Sequence, residues 1–294
     1  MKLSEDIRKA DLRKIAVPWL FVLPLLIFVA VLIAVPVIGA IFNSLLRDIP
    51  FLPQKFILFQ NYADMYVSSS FRQSLGFTLL FIAVSVPLEL ALGILLAVLM
   101  NENIKGKSFL RAAVLVPWAV PIAVSAKVWE LIYNYHYGLA NFLLPGIEIN
   151  WLGTSTSAFF AIVAADVWKT VPFVAIIVLA GLQAVPGEIY EQAKVDRANF
   201  LQRFFYITVP VLKPVITVAL LFRTIDALRI FDIIYVLTGG GPGGSTNSLS
   251  MLAYSHYLTG DYGAGSAVSV VLFVIALVIS VFYVKTLKFK GEIG

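Results

Sequence analysis

The sequence has 294 residues, is 60% hydrophobic and 13% charged, and carries a formal net charge of +5, with a mean hydropathy of +0.90. A water-soluble domain of this length needs far less apolar material to fill its core, so the bilayer is the natural solvent. The basic excess is distributed by side of the membrane and forms no patch on a soluble domain, which argues against nucleic acid as a partner, and the lack of cysteine removes disulfides, thiolate nucleophiles and most zinc sites.

A transmembrane helix needs about 20 mostly apolar residues. Six stretches qualify, 15–42, 75–100, 109–134, 158–184, 209–237 and 265–284, so the sequence predicts an all-α membrane protein with six transmembrane helices across 15–285. Residues 1–14 hold Lys2, Arg8, Lys9, Arg13 and Lys14. They resemble the basic region of a signal peptide, but the apolar run that follows is about 28 residues long against the usual 7 to 15, so it reads as an uncleaved first helix. Leu3, Ile7 and Ala10 recur at helical spacing. Residues 1–14 are therefore either an amphipathic segment on the inner surface or a frayed tail. With this end inside, about 15 Lys and Arg fall in cytoplasmic segments and about three (Arg47, Lys55, Arg72) in outer loops, which puts both termini, including the tail 286–294, in the cytoplasm.

The connection 43–74 mixes Pro50, Pro53, aromatics and charges, as suits an outer loop lying partly in the interface. A second outer loop, 135–157, is rich in turn residues, with Gly138, Pro145, Gly146 and Gly153. The cytoplasmic loop 186–213 is too long to be structureless. Pro186 starts a helix, the formers and charges of 187–200 continue it, and a bend leads into a second helical piece through Phe204 and Phe205 up to Pro210. Such a loop is a docking element. Thr238 to Ser245, with five glycines and one proline, ends the fifth helix. A phosphate cradle is excluded there, because no Gly-Lys-Ser or Gly-Lys-Thr follows.

An ionisable group at bilayer depth costs roughly 2.5 to 3.5 kcal/mol on insertion scales and must face a cavity or a partner. Nine occur: Glu89, Lys127, Glu130, Asp166, Lys169, Arg223, Asp226, Arg229 and Asp232. Several are opposite charges three residues apart, which allows local neutralisation. Arg223 and Asp226 are the deepest of a series recurring every third residue along the fifth helix, and they either line a polar substrate cavity or form salt bridges in the bundle. Glu89 has no opposite charge within a turn and needs a distant partner such as Lys169 or Arg223, a proton relay being the alternative. Pro24, Pro36, Pro87, Pro117, Pro121 and Pro172 predict kinks. The two histidines, His136 and His256, fall in outer loops, and no nucleophile–base set can be assembled, so the chain reads as a transport subunit without an enzyme site. It carries no nucleotide fingerprint, so energy comes from a partner or an ion gradient.

At the cytoplasmic loop the sequence resembles the permease subunits of type I ABC importers, whose EAA loop docks on an ATPase. The family pattern Glu-Ala-Ala, three residues, Gly, then Ile-x-Leu-Pro is matched by Tyr190-Glu191-Gln192-Ala193, Asp196-Arg197-Ala198 and Ile207-Thr208-Val209-Pro210. Gln192 replaces the first Ala, and Arg197 replaces the Gly at the bend, where a positive φ is uncommon for a non-glycine residue. Leu237-Thr238-Gly239-Gly240-Gly241-Pro242 is similar to carbohydrate-uptake permeases, and the stretch from Phe222 to Ala227 with Arg229-Ile230-Phe231-Asp232 is similar to trehalose and maltose permeases.

The resemblance implies a type I ABC importer permease fold in a prokaryotic inner membrane, carrying a sugar, with a disaccharide as first expectation and other oligosaccharides or polyol phosphates as alternatives. A gradient-driven carrier is disfavoured by the docking loop. It implies a second homologous permease, two copies of a cytoplasmic ATPase that bind ATP and Mg, an extracytoplasmic sugar-binding protein, and surrounding membrane lipid; this chain itself would hold no cofactor. It places Glu191, Ala193, Asp196 and Arg197 at the ATPase contact and Trp118, Lys169, Thr170, Phe173, Arg223 and Asp226 along the sugar path. The last six agree with sugar chemistry, which wants aromatic faces beside fixed polar groups.

Overall fold

The computed structural model describes residues 18–102, 105–144, 146 and 148–286. The expected amphipathic segment 1–14, Pro145 and nearly all of the tail 286–294 lie outside the described residues. Among the described residues five helices are long and apolar enough to cross a bilayer: α1 (Pro18–Asn43), α3 (Ser69–Asn101), α7 (Ser155–Gln183), α9 (Phe200–Leu228) and α12 (Tyr262–Thr286). The sixth crossing is a broken pair, α4 (Lys107–Ala119) and α5 (Ile122–Ile132), which meet at 94°. Shorter pieces fill the connections: α2 (Gln60–Val67), α6 (Leu139–Phe142), α8 (Gly187–Val195), α10 (Asp232–Leu237) and α11 (Leu249–Leu258). A minimal antiparallel pair, β1 (Leu46–Arg47) and β2 (Lys55–Phe56), closes the connection 43–74, with Leu46 opposite Phe56.

Burial ranks the spans. α7 is the most enclosed of the spans and α1 the least, so α7 is the axle, while α1 meets α12 through its second half, Val35–Asn43, and leaves most of its surface outward. An all-apolar helix with so little of its surface covered is stable only against lipid or another chain. The α3–α7 contact is close because Gly93 has no side chain: a Cβ there would lie 2.5 Å from Val174 Cγ1. Capping fixes several helix starts. Ser68 accepts from the Phe71 amide at α3, Thr154 and Ser157 form a capping box at α7, and Ser248 accepts from the Met251 amide at α11.

Two apolar clusters stack along α3, α7 and α9. One contains Phe77, Phe81, Val86, Phe159 and Ile162, joined by Ile230 and Ile233 beyond α9. The other contains Ala97, Met100, Val174, Val178, Leu182 and Leu212. Glu89, Asp166 and Arg223 lie in sequence between the members of the two clusters on all three helices, so the charges occupy the seam between apolar layers.

The third and fifth spans differ from expectation. Residues 109–134 are no continuous helix, because Val120 turns extended and Pro121, with no N–H to give, starts a new helix. The fifth span begins at Phe200 and stops at Leu228; Arg229, Ile230 and Phe231 leave helical geometry before α10. The series Arg223, Asp226, Arg229, Asp232 therefore does not spiral around one helix, and Asp232 starts another. The Ile230 carbonyl, freed by the break, accepts from Ser248 Oγ at 2.7 Å. The glycine-rich run ends α10, with Gly239 at φ 59° following Thr238.

In the 186–213 loop the expected short helix, bend and second helical piece all occur, but the second piece runs without interruption into the fifth span. Arg197 occupies the left-handed region at φ 57°. The Ala198 amide donates back to the Ala193 carbonyl at 2.9 Å, the six-to-one bond of a Schellman ending, with Arg197 where glycine is usual.

Candidate functional site

A cavity of about 280 Å³ opens between α5, α7 and the two breaks, with Ile122, Asp166, Lys169, Thr170, Arg223, Asp226, Arg229, Phe231 and Asp232 in its wall. Arg223 is its anchor. The guanidinium, 1% exposed, donates through Nε and NH2 to both oxygens of Glu89, through NH2 to Asp166, and through NH1 to Asp226 at 3.0 Å. Three spans are thereby tied to one planar cation, whose fork geometry suits several carboxylates at once. Asp226 also accepts from Arg229 NH2 at 3.2 Å, and its side chain is 52% exposed toward the cavity.

Of the two readings open for Arg223 and Asp226, each residue takes a different part. Arg223 is a buried bridge, while Asp226 is both paired and exposed in the cavity wall. Glu89 pairs with Arg223, one of its two expected partners. Local neutralisation holds for Lys127 and Glu130, 2.5 Å apart on the exposed face of α5, but not for Asp166 and Lys169. Asp166 turns to Arg223. Lys169, 6% exposed, directs Nζ to the carbonyls of Pro117, Trp118 and Val120 at 3.1, 3.2 and 2.5 Å.

The structure thus brings Lys169, Thr170, Arg223 and Asp226 together around one cavity. Thr170 Oγ1 donates to the Asp166 carbonyl at 2.7 Å and keeps its lone pairs for another partner. Trp118 and Phe173 do stack, at 6.3 Å and 23° between planes, but beside the cavity and outside its wall. Phe231, Arg229 and Ile122 enter the wall because the helices break, a consequence for which neither Gly nor Pro near residue 229 gives a warning.

On the 186–213 loop Glu191, Asp196 and Arg197 are exposed, while Ala193 is 6% exposed and faces its own chain. Tyr190 Oη and Thr208 Oγ1, 3.3 Å apart, tie α8 to the start of the fifth span. At the other end of the bundle Tyr135 Oη donates to Glu148 at 2.7 Å, and that bond raises the phenol's pKa above its ordinary value. Among the described residues no group of His, Asp or Glu is arranged to hold a metal.

A bundle of apolar spans, two of them broken around a polar cavity, with a helical loop exposed at one end, defines a multi-pass membrane permease. Residues 89–287 match the family model described as binding-protein-dependent transport system inner membrane component. The chain is 52% identical to the trehalose/maltose transport system permease protein MalF of Thermococcus litoralis over 97% of this chain and 98% of that one. It is 38% identical to the sulfoquinovosyl glycerol transport system permease protein SmoG of Agrobacterium fabrum, over 92% of this chain and 90% of the other. Its fold matches a chain of a bacterial ABC transporter that imports the acidic polysaccharide alginate, at a TM-score of 0.83 and 24% identity, over 99% and 100% of the two chains. The chain belongs to the binding-protein-dependent transport system inner membrane component family.

Proposed function

We propose that this chain is a permease subunit of an ATP-driven importer and forms, with a second homologous permease, the path for a neutral sugar, a disaccharide such as trehalose or maltose. The near full-length likeness to a trehalose/maltose permease carries the reading. The cavity supports it chemically. Lys169 and Arg223 are buried and matched to oxygens of the protein, and Arg229, though exposed, is neutralised by Asp226, so the wall offers an anionic solute no excess of positive charge. A hydroxyl-rich neutral solute finds the half-exposed Asp226 carboxylate and the Thr170 oxygen as acceptors, with the Phe231 ring in the same wall and the Trp118–Phe173 stack beside it. Arg223 and Lys169 build the wall.

On this reading both termini are cytoplasmic, an extracytoplasmic binding protein delivers the sugar, and two ATPase copies bind ATP and Mg. The helix α8 transmits their movement, with Glu191, Asp196 and Arg197 at the contact and Ala193 seating α8 on its own chain. The test is the reconstituted complex of both permeases, ATPase and binding protein in liposomes. Trehalose or maltose should raise ATP hydrolysis several-fold and accumulate inside. Uptake driven by an ion gradient without ATP overturns the importer, and stimulation by an anionic glycoside alone overturns the neutral-sugar reading.

A further inference from the structure

We propose that Lys169 is a positioning residue: its ammonium closes the broken end of α4 and thereby holds the Val120–Pro121 elbow, and the Trp118 ring on it, against α7. In a continuous helix the Pro117 carbonyl accepts from the amide of residue 121, but proline has none. The Val116 carbonyl still finds the Val120 amide at 3.3 Å, so the orphans begin at Pro117. The Trp118 carbonyl loses its partner because Ile122 already belongs to a helix turned through 94°, and the Val120 carbonyl lies in the extended elbow. Backbone oxygens at membrane depth must be satisfied by protein where water is absent.

Lys169 answers all three. An ammonium has three donors and no acceptor, and Nζ lies 3.1, 3.2 and 2.5 Å from the Pro117, Trp118 and Val120 oxygens. The positive charge also sits at the negative end of the α4 dipole. One turn further along the same face of α7, Phe173 stacks on Trp118. The elbow is thus gripped twice from α7, through its backbone by Lys169 and through its ring by Phe173. With its three donors directed at backbone, Lys169 has none left for a sugar hydroxyl.

The chain has no native cysteine, so Ala119→Cys provides a reporter on the elbow within the full complex. A thiol reagent such as N-ethylmaleimide, applied to complexes in liposomes, should label the Lys169→Met, Ala119→Cys pair several-fold faster than Ala119→Cys alone. Lys169→Gln, which keeps two donors, should fall between them, and it also serves if the methionine variant fails to assemble. Lys169→Met should lower trehalose- or maltose-stimulated hydrolysis at saturating sugar by at least fivefold, while the half-saturating concentration moves less than twofold. A sugar ligand would show the opposite split, a raised half-saturating concentration with unchanged labelling. Equal labelling across the variants overturns the proposal. The labelling does not depend on the sugar, so failure of the trehalose or maltose reading leaves this test intact.

Discussion

Removing the Arg223 guanidinium while keeping its bulk, as Arg223→Met, strands two carboxylates in the seam between the apolar layers. Glu89 is fully buried and the Asp166 side chain is 12% exposed, so neither recovers its hydration in place. Breaking one buried ion pair by deleting a partner costs about 3 to 5 kcal/mol. This deletion removes the shared partner of both, which puts it at the upper end of that range. Asp226 adds little, because it is half exposed and retains Arg229. Glu89→Gln is milder: the guanidinium keeps Asp166 and Asp226, and the neutral amide costs about 1 to 3 kcal/mol. The double variant Arg223→Met, Glu89→Leu takes away the more buried of the two stranded charges and leaves Asp166, so it should be more stable than Arg223→Met alone. A multisubunit membrane complex does not unfold in two states, so the comparison is one of rank. The assay is the fraction of purified complex that stays monodisperse through a temperature series. The expected order of resistance is wild type, Glu89→Gln, the double variant, then Arg223→Met. Wild-type resistance in Arg223→Met, or a double variant weaker than that single variant, refutes the idea that the cation carries the seam.

Three further outcomes are expected. Asp226→Asn should assemble like wild type, with a stability change below about 1 kcal/mol because the group is half exposed, yet slow sugar-stimulated ATP hydrolysis in liposomes; undiminished turnover removes Asp226 from the path. Gly93→Ala should destabilise by about 1 to 3 kcal/mol, since the added methyl meets the β-branched Val174 at 2.5 Å and forces α3 and α7 apart, and a thermal midpoint equal to wild type counts against that close approach. Arg197→Gly should leave the docking loop as protease-resistant as wild type or more so, because glycine adopts the φ of 57° without the penalty of about 1 kcal/mol that a side chain carries there; Arg197→Val should be cut faster, and equal digestion of both variants contradicts the left-handed bend.

What could be read in advance follows the range of the forces involved. A weakness at Pro121 was legible because a missing N–H is a local fact, but the same fact holds at Pro87 and Pro172, which stay inside continuous helices, so the 94° elbow itself was not. The bend at Arg197 was legible from its place in the loop motif, and the structure meets the demand for a positive φ with an arginine. The break after Leu228 was not legible, because neither Gly nor Pro marks it and the Ile230 carbonyl it frees is taken by Ser248 Oγ, 18 residues later. The partner of Asp166 was misleading for the same reason. Lys169 stands three residues away at ideal helical spacing, yet Arg223, 57 residues on, claims the carboxylate. A lysine beside three orphaned carbonyls satisfies more buried polar atoms there than it would by pairing with Asp166. Sequence spacing weighs only the neighbours on one helix, and the buried network was decided between helices.

The two breaks explain why the cavity lies where it does. Lipid tolerates no unsatisfied backbone, so a bent or interrupted span is possible only where its loose ends face protein or enclose a polar space. Here the third span breaks at Val120–Pro121 and the fifth at Arg229–Phe231, and Ile122 of one and Arg229 to Asp232 of the other border the same cavity. Each break exposes backbone that the neighbouring helices must satisfy, as Lys169 does for α4 and Ser248 for the end of α9. Had both spans continued as straight helices, their polar groups would be closed into intrahelical bonds and the side chains of 229–232 would lie farther along the axis of the fifth span. The interruption therefore creates the opening and supplies part of its polar wall, while Arg223, held by α3, α7 and its own helix, keeps the surrounding spans from closing over it.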